Sequence, residues 1–258
     1  MLNYIKSEWY RIIHSSTMYV FTAILAGLAF ALNAILWLLN RIDPSFRYGT
    51  TAFSLSNLGS MLSLMFYMGV IIVGLLFAGE RKSGGLKNTI AFGISREKIF
   101  AGKCIVSTGI SVCSLIIILA VFMGSAVWLL EPGVEPEAVQ ITLKGVACLL
   151  LMAAASEVLI LSLLTVFEKE LMAYLVWYLI MEIIPKAFML IGLKSSLFRE
   201  IAAWMPCNYL SNEVVINMSG WNCLWETAEG AAKCLISGAI GLLLFLLLGL
   251  KLCKRQEV

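Results

Sequence analysis

The sequence predicts an all-α membrane protein with six transmembrane helices, and three observations carry that reading. First, the 258 residues are 60% hydrophobic and only 14% charged, with a mean hydropathy of +0.91. A soluble core of this size has no room for so many apolar side chains, whereas a bilayer needs about 20 consecutive apolar residues per crossing. Second, the apolar residues fall into six runs of crossing length. Third, the 19 basic residues sit in short segments between those runs and not on one continuous face. Disorder, collagen and disulfide scaffolds are excluded, and no nucleic-acid partner is expected. Seven cysteines without a CxxC spacing give no reason to expect a metal site.

Between Arg11 and Arg41 no Asp, Glu, Lys or Arg occurs, and the apolar part, residues 17–39, is the first span. Ala29-Phe30-Ala31 has the form of a signal-cleavage site, but the apolar run continues unbroken to Leu39, which favours a retained helix. Span two is placed at residues 58–78 and span three at 105–130 on hydropathy. Span four, 145–167, contains Glu157; span five, 171–191, contains Glu182, Pro185 and Lys186. Span six, 234–252, is short. An even number of spans puts both termini on one side. Twelve basic residues, among them Lys6, Arg11, Arg81, Lys82, Lys103, Lys254 and Arg255, share that side, so the termini are expected to be cytoplasmic.

Ahead of span one, Leu2, Ile5, Trp9 and Ile12 recur at helical spacing while Lys6, Arg11 and His14 fall elsewhere on the wheel. This predicts an amphipathic helix lying in the membrane interface. His14, the single histidine, lacks the carboxylate and nucleophile neighbours of a general base.

The segment from Glu80 to Lys103 is the most informative connection. Gly84-Gly85 breaks span two; Leu86, Ile90 and Ile94 sit at i, i+4, i+8 on a short helix that Gly93 ends; Ser95 caps the helix leading into span three. Between spans five and six, Leu197, Ile201, Trp204 and Met205 precede Pro206 at helical spacing, predicting short helices at the outer surface. Cys207 and Cys223 share this segment and are candidates for a disulfide, which spacing alone leaves open.

An acidic Glu157 near mid-bilayer costs about 2.5–3.5 kcal/mol even on the lenient insertion scale, so it is expected to face protein or water. Counted from the predicted cytoplasmic ends, Glu157 lies about 14 Å deep and Glu182 about 16 Å deep, which would let them share a cavity. Both are candidate substrate-path residues. Lys186, four residues after Glu182, is positioned to pair with it. Ala153-Ala154-Ala155-Ser156 permits close helix approach.

An acidic residue followed by Gly-Leu-Lys-Asn-Thr, Gly-Ile-Ser-Arg and Lys, set between spans two and three of a six-span chain, resembles the cytoplasmic loop of type-two ABC exporter permeases. In length, span number and long outer segment the chain is similar to bacitracin-resistance and lantibiotic-immunity permeases. The resemblance implies that residues 1–258 form one permease domain in a bacterial plasma membrane, and that the loop carries a coupling helix. It assigns contact with a cytoplasmic ATP-binding subunit to Glu80, Leu86, Lys87, Asn88, Thr89, Ile90, Gly93, Ser95 and Arg96. It also implies a second permease half, identical or homologous. The chain is not expected to be an enzyme: Gly102-Lys103 runs into Cys104 without a Walker glycine upstream, so ATP and Mg belong to the partner. The activity implied is export of amphipathic antimicrobial peptides or hydrophobic drugs. The competing reading is a six-span receptor or scaffold that docks a cytoplasmic regulator without transport.

Overall fold

A computed structural model describes residues 2–43, 45–77, 89–90, 93–133, 136–212, 214–217 and 220–255. The chain begins with α1 (Leu2–Ile13) and, after a Ser15 cap, α2 (Ser16–Ile42). Then come α3 (Thr51–Ser60), α4 (Leu64–Phe77), α5 (Arg96–Leu129) and α6 (Pro136–Val166). The remaining helices are α7 (Glu170–Ile191), α8 (Ser196–Ala203), α9 (Pro206–Asn212) and α10 (Ala228–Arg255). Five helices, α2, α5, α6, α7 and α10, are individually long and apolar enough to cross a membrane, and the α3–α4 pair makes a sixth crossing if its two bent halves count as one.

Span two departs most from expectation. A continuous helix over 58–78 is replaced by two helices meeting at 64°, with the break at Met61–Ser63. Thr50 caps the first through its side chain, accepting from the Phe53 N–H at 3.3 Å. The helix therefore starts seven residues earlier than hydropathy placed it. Four Ser/Asn side chains in α3, Ser54, Ser56, Asn57 and Ser60, lower its hydropathy without stopping a helix, because each bonds a backbone carbonyl or a buried partner. At about 21 Å for 14 residues, α4 alone is shorter than the hydrocarbon core, and a full crossing here requires α3 as well.

The bundle is built around α6, which packs against α10, α4, α7 and α3. Lipid supplies no hydrophobic drive between helices, so close approach and hydrogen bonds hold them. The α6–α10 seam uses small residues. A Cβ on Gly238 would stand 2.9 Å from the Leu151 Cβ, and one on Gly241 would stand 3.5 Å from the Ala155 Cβ. Of the Ala153–Ser156 run, Ala155 thus meets Gly241 on α10.

The α2–α5 seam is polar instead. Thr22 Oγ1 lies 3.0 Å from Ser114 Oγ, and Asn40 donates to Glu131 at 3.0 Å. Between them Asn33, fully buried, donates to the Phe122 carbonyl (2.9 Å) and Ser125 Oγ (2.8 Å) and accepts from Ser54 Oγ (2.6 Å). One side chain therefore ties α2, α3 and α5.

The amphipathic helix exists, but it docks on the bundle. Rings of Tyr4 and Trp9 lie over Gly102 and Gly109 of α5, where added Cβ atoms would come within 2.7 and 2.8 Å of them. Ile5, Trp9 and Ile12 join Met18, Ile72, Val106 and Ile110 in one apolar cluster, while Leu2 stays exposed. Arg11 and Lys103 both stand over the Phe77 ring, at 5.9 and 4.9 Å from its centroid. At this same end Lys254 pairs with Glu97 at 2.8 Å, so the first and last helices share one end of the bundle.

The fold is all-helical as expected, with one short ribbon added in the segment before α10. Val215–Asn217 and Gly220–Asn222 pair as a two-stranded antiparallel ribbon, with Ile216 opposite Trp221. Val215 and Ile216 are β-branched and favour an extended backbone over a third short helix. A 3-10 turn (Leu224–Glu226) follows and seats the fully buried Trp225 ring, whose Nε1 donates to the Ile141 carbonyl at 2.9 Å.

Candidate functional site

Two regions carry chemistry: the approach to α5 at the end holding the termini, and a cavity near the opposite end.

Of the loop residues assigned to coupling, Glu80, Leu86, Lys87 and Asn88 lie outside the described residues. Thr89 and Ile90 are helical. Gly93 donates its N–H to the Ile90 carbonyl at 2.9 Å with φ +81°, the left-handed conformation that ends a helix and that glycine adopts without a Cβ penalty. Ser95 occupies the N-cap position in extended backbone, but its side chain makes no capping bond; only its carbonyl engages, accepting from the Ile99 N–H at 3.1 Å. Arg96 begins a helix of 34 residues, about 51 Å long. That helix is gripped near its start: Phe100 packs into Gly249 of α10, Tyr4 covers Gly102, and Glu97 holds Lys254. A displacement applied at Arg96 is therefore delivered to α1, α5 and α10 together.

The cavity, of about 330 Å³, lies where two irregular helices meet. One is the α3–α4 break. The other is a π turn at Leu179–Ile183 within α7, just ahead of Pro185. Proline supplies no N–H and crowds the preceding turn, which gives the wide turn a cause, and π turns recur at functional positions. After Pro185 the chain reverses. Asn208 of α9 donates to the Pro185 (2.8 Å) and Ala202 (3.0 Å) carbonyls, and Phe188 packs on Phe198.

Glu182 sits on the π turn and lines the cavity. Tyr67 Oη donates to its Oε1 at 2.7 Å; Lys186 Nζ and Cys207 Sγ both approach its Oε2 at 2.9 Å. The pair with Lys186 is the one its spacing predicts. Tyr67 and Cys207 come from α4 and α9 and are invisible to local sequence reasoning. Tyr67 also packs edge-on against Trp177, centroids 5.4 Å apart, and Trp177 Nε1 donates to Ser156 Oγ at 3.1 Å.

Glu157 does not share this cavity. It lines a separate void of about 20 Å³ with Thr108 and Ser111, and it lies against Gly69 of α4. Gly69 and Tyr67 are two positions apart, about 200° around a helix, so the two carboxylates lie on different sides of α4. Glu157 is 3% exposed, and neither its Oε2 nor Ser111 Oγ has a hydrogen-bond partner among the described residues. The void has room for about one water molecule.

The candidate disulfide is not formed. Cys207 and Cys223 are free thiols. Cys207 turns to Glu182, whereas Cys223 is buried at the foot of the turn beside Trp225. Burial and the adjacent carboxylate of Glu182 push the Cys207 thiol up to about 12; burial, followed by the charge of Glu226, pushes Cys223 to about 11.

No curated protein matches the sequence. A family model described as ABC-2 family transporter protein matches residues 4–185, from α1 through the π turn of α7. That match covers more than two-thirds of the chain and contains both the approach to α5 and the Glu182 turn. The chain accordingly belongs to the ABC-2 transporter family, as a membrane permease subunit of an ABC transporter with an ATP-binding partner.

Proposed function

We propose that this subunit is one half of an exporter that moves, or expels from the bilayer, amphipathic antimicrobial peptides of the lantibiotic or bacitracin type, or hydrophobic drugs of similar character, as part of immunity or resistance. The observation that carries the reading is the cavity beside α4 and α7, in which a carboxylate stands among aromatic, aliphatic and hydroxyl side chains. Such a lining suits amphipathic molecules that are cationic at one point. The pathway joins two permease halves, identical or homologous, in a bacterial cell membrane with both termini cytoplasmic. ATP and Mg reside on the ATP-binding subunit, and this chain performs no catalysis.

In this account the segment from Glu80 to Arg96 receives the partner's stroke. Closure of the ATP-binding subunits pushes Thr89, Ile90 and Gly93 toward Ser95 and Arg96. The long α5 then tilts with α1 and α10, because Phe100, Gly102 and Glu97 tie them. The break in span two lets α4 follow while α3 stays fixed to Asn33.

Charge reversal tests the coupling. Lys87→Glu and Arg96→Glu are expected to leave ATP hydrolysis by the assembled complex running while ATP-driven substrate movement in proteoliposomes falls at least about tenfold, the ratio that a 1.4 kcal/mol coupling loss gives. Unchanged transport in both variants would remove the coupling assignment. A scaffold without transport predicts no ATP-driven movement in wild type either.

A further inference from the structure

We infer that the Glu182 cavity is a binding site for an organic ammonium ion, and that Lys186 is the resident cation the ligand displaces. The inference rests on the export reading for its purpose and on geometry for its chemistry.

Four features converge. The cavity, about 330 Å³, is at the lower end of the range that encloses drug-sized molecules and is far larger than a metal ion or a water needs. Its walls include the rings of Phe66, Tyr67 and Trp177, and aromatic walls favour cations with an apolar shell over strongly hydrated ones. Among the described residues lining it Glu182 is the one carboxylate, and three donors hold it, with Tyr67 Oη fixing Oε1 and leaving Oε2 to Lys186 and Cys207. Finally, the two partners of that ion pair are unequally buried. The Glu182 side chain is 17% exposed and Lys186 is 58% exposed. Lysine can swing its ammonium outward on a flexible stem at little cost, while the carboxylate cannot leave its π turn. An incoming ammonium therefore meets a preformed acceptor whose present occupant is removable.

The shared chemistry is an alkylammonium group. It is borne equally by a free organic cation and by a lysine side chain or terminal amine of an amphipathic peptide.

The test uses the complex of this chain with its ATP-binding partner in nanodiscs, without nucleotide. Equilibrium binding of tritiated benzyltrimethylammonium is measured and competed with neopentylbenzene, its neutral isostere. Wild type is expected to prefer the cation by about tenfold, in keeping with a desolvated cation beside aromatic rings and a carboxylate. Glu182→Gln is expected to abolish that preference. Lys186→Met, which removes the competitor, is expected to tighten cation binding several-fold. Equal binding of cation and isostere to wild type overturns the proposal, as does a Lys186→Met variant that binds the cation no tighter. The second criterion decides alone if Glu182→Gln fails to fold. Competition by a lysine-bearing amphipathic peptide, lost on full acetylation, identifies the peptide amine as the source; its absence identifies a free cation. Cation binding without ATP-driven movement would keep the site and remove the export reading. Peptide export without cation binding would do the reverse.

Discussion

Asn33→Leu should loosen the bundle by about 2 kcal/mol. The side chain is fully buried in α2 and makes three hydrogen bonds, to the Phe122 carbonyl, Ser125 Oγ and Ser54 Oγ, all between 2.6 and 2.9 Å. Hydrogen bonds between helices in a membrane average about 0.6 kcal/mol each with a ceiling near 1.7, because the unfolded chain in lipid also finds partners. Three of them give the stated total. Leucine keeps the branched four-heavy-atom skeleton and is the larger side chain, so no cavity forms. The remaining groups are unequally affected: Ser125 still donates to Phe122, but Ser54 loses its acceptor. The assay is equilibrium unfolding in bicelles with increasing denaturing detergent, run as a cycle with Ser54→Ala. The Asn33–Ser54 coupling is expected near 1 kcal/mol. An Asn33→Leu protein as stable as wild type, with no coupling to Ser54, would refute the idea that this side chain is the polar tie between α2, α3 and α5.

Other consequences follow from the same packing rules. Gly102→Leu pushes a branched side chain into the Tyr4 ring and should detach α1 from α5, costing about 1–3 kcal/mol, with Trp9 fluorescence shifting toward that of a lipid-exposed indole; an unshifted spectrum would contradict the docked arrangement. The thiol of Cys207, raised to about 12, is protonated throughout the neutral range. Its alkylation should keep rising about tenfold per pH unit past pH 10, and Glu182→Gln should speed it by removing the carboxylate that opposes the thiolate. Peptide-resolved mass spectrometry reads the rate, and a plateau above pH 9 would show that the thiol is not held against Glu182.

The sequence made the crossings legible because about 20 apolar residues in a row have few other uses in a chain this apolar. The expected spans at 17–39, 105–130, 145–167, 171–191 and 234–252 each fall on a helix, though α5 begins nine residues earlier, at Arg96, and α10 six residues earlier, at Ala228. Hydropathy marks where a helix meets lipid, whereas helix ends are set by local turns such as that at Gly93 and by caps such as Thr50. The broken second span was hidden for the same reason: Ser54, Ser56 and Asn57 read as loop residues until their hydrogen-bond partners are known. The site was half visible. Glu182 and Lys186 announce each other at i, i+4, but Tyr67 and Cys207 are 115 and 25 residues from Glu182. Depth along a helix can be counted from sequence; azimuth cannot, and azimuth is what separates Glu157 from Glu182. Cys207 and Cys223 illustrate the same limit, since loop membership does not fix where thiols point.

Export requires that ATP hydrolysis by a bound partner drive substrate movement through this subunit. Its most direct test is to purify the tagged chain from its native membrane with whatever copurifies, identify the components by mass spectrometry, and reconstitute them in proteoliposomes for transport of a labelled amphipathic cationic peptide. The account predicts a stoichiometric soluble protein with a Walker motif, hydrolysis stimulated by the peptide, and peptide movement that requires ATP. Hydrolysis indifferent to every amphipathic peptide and drug offered, with no ATP-dependent movement of any, would contradict it.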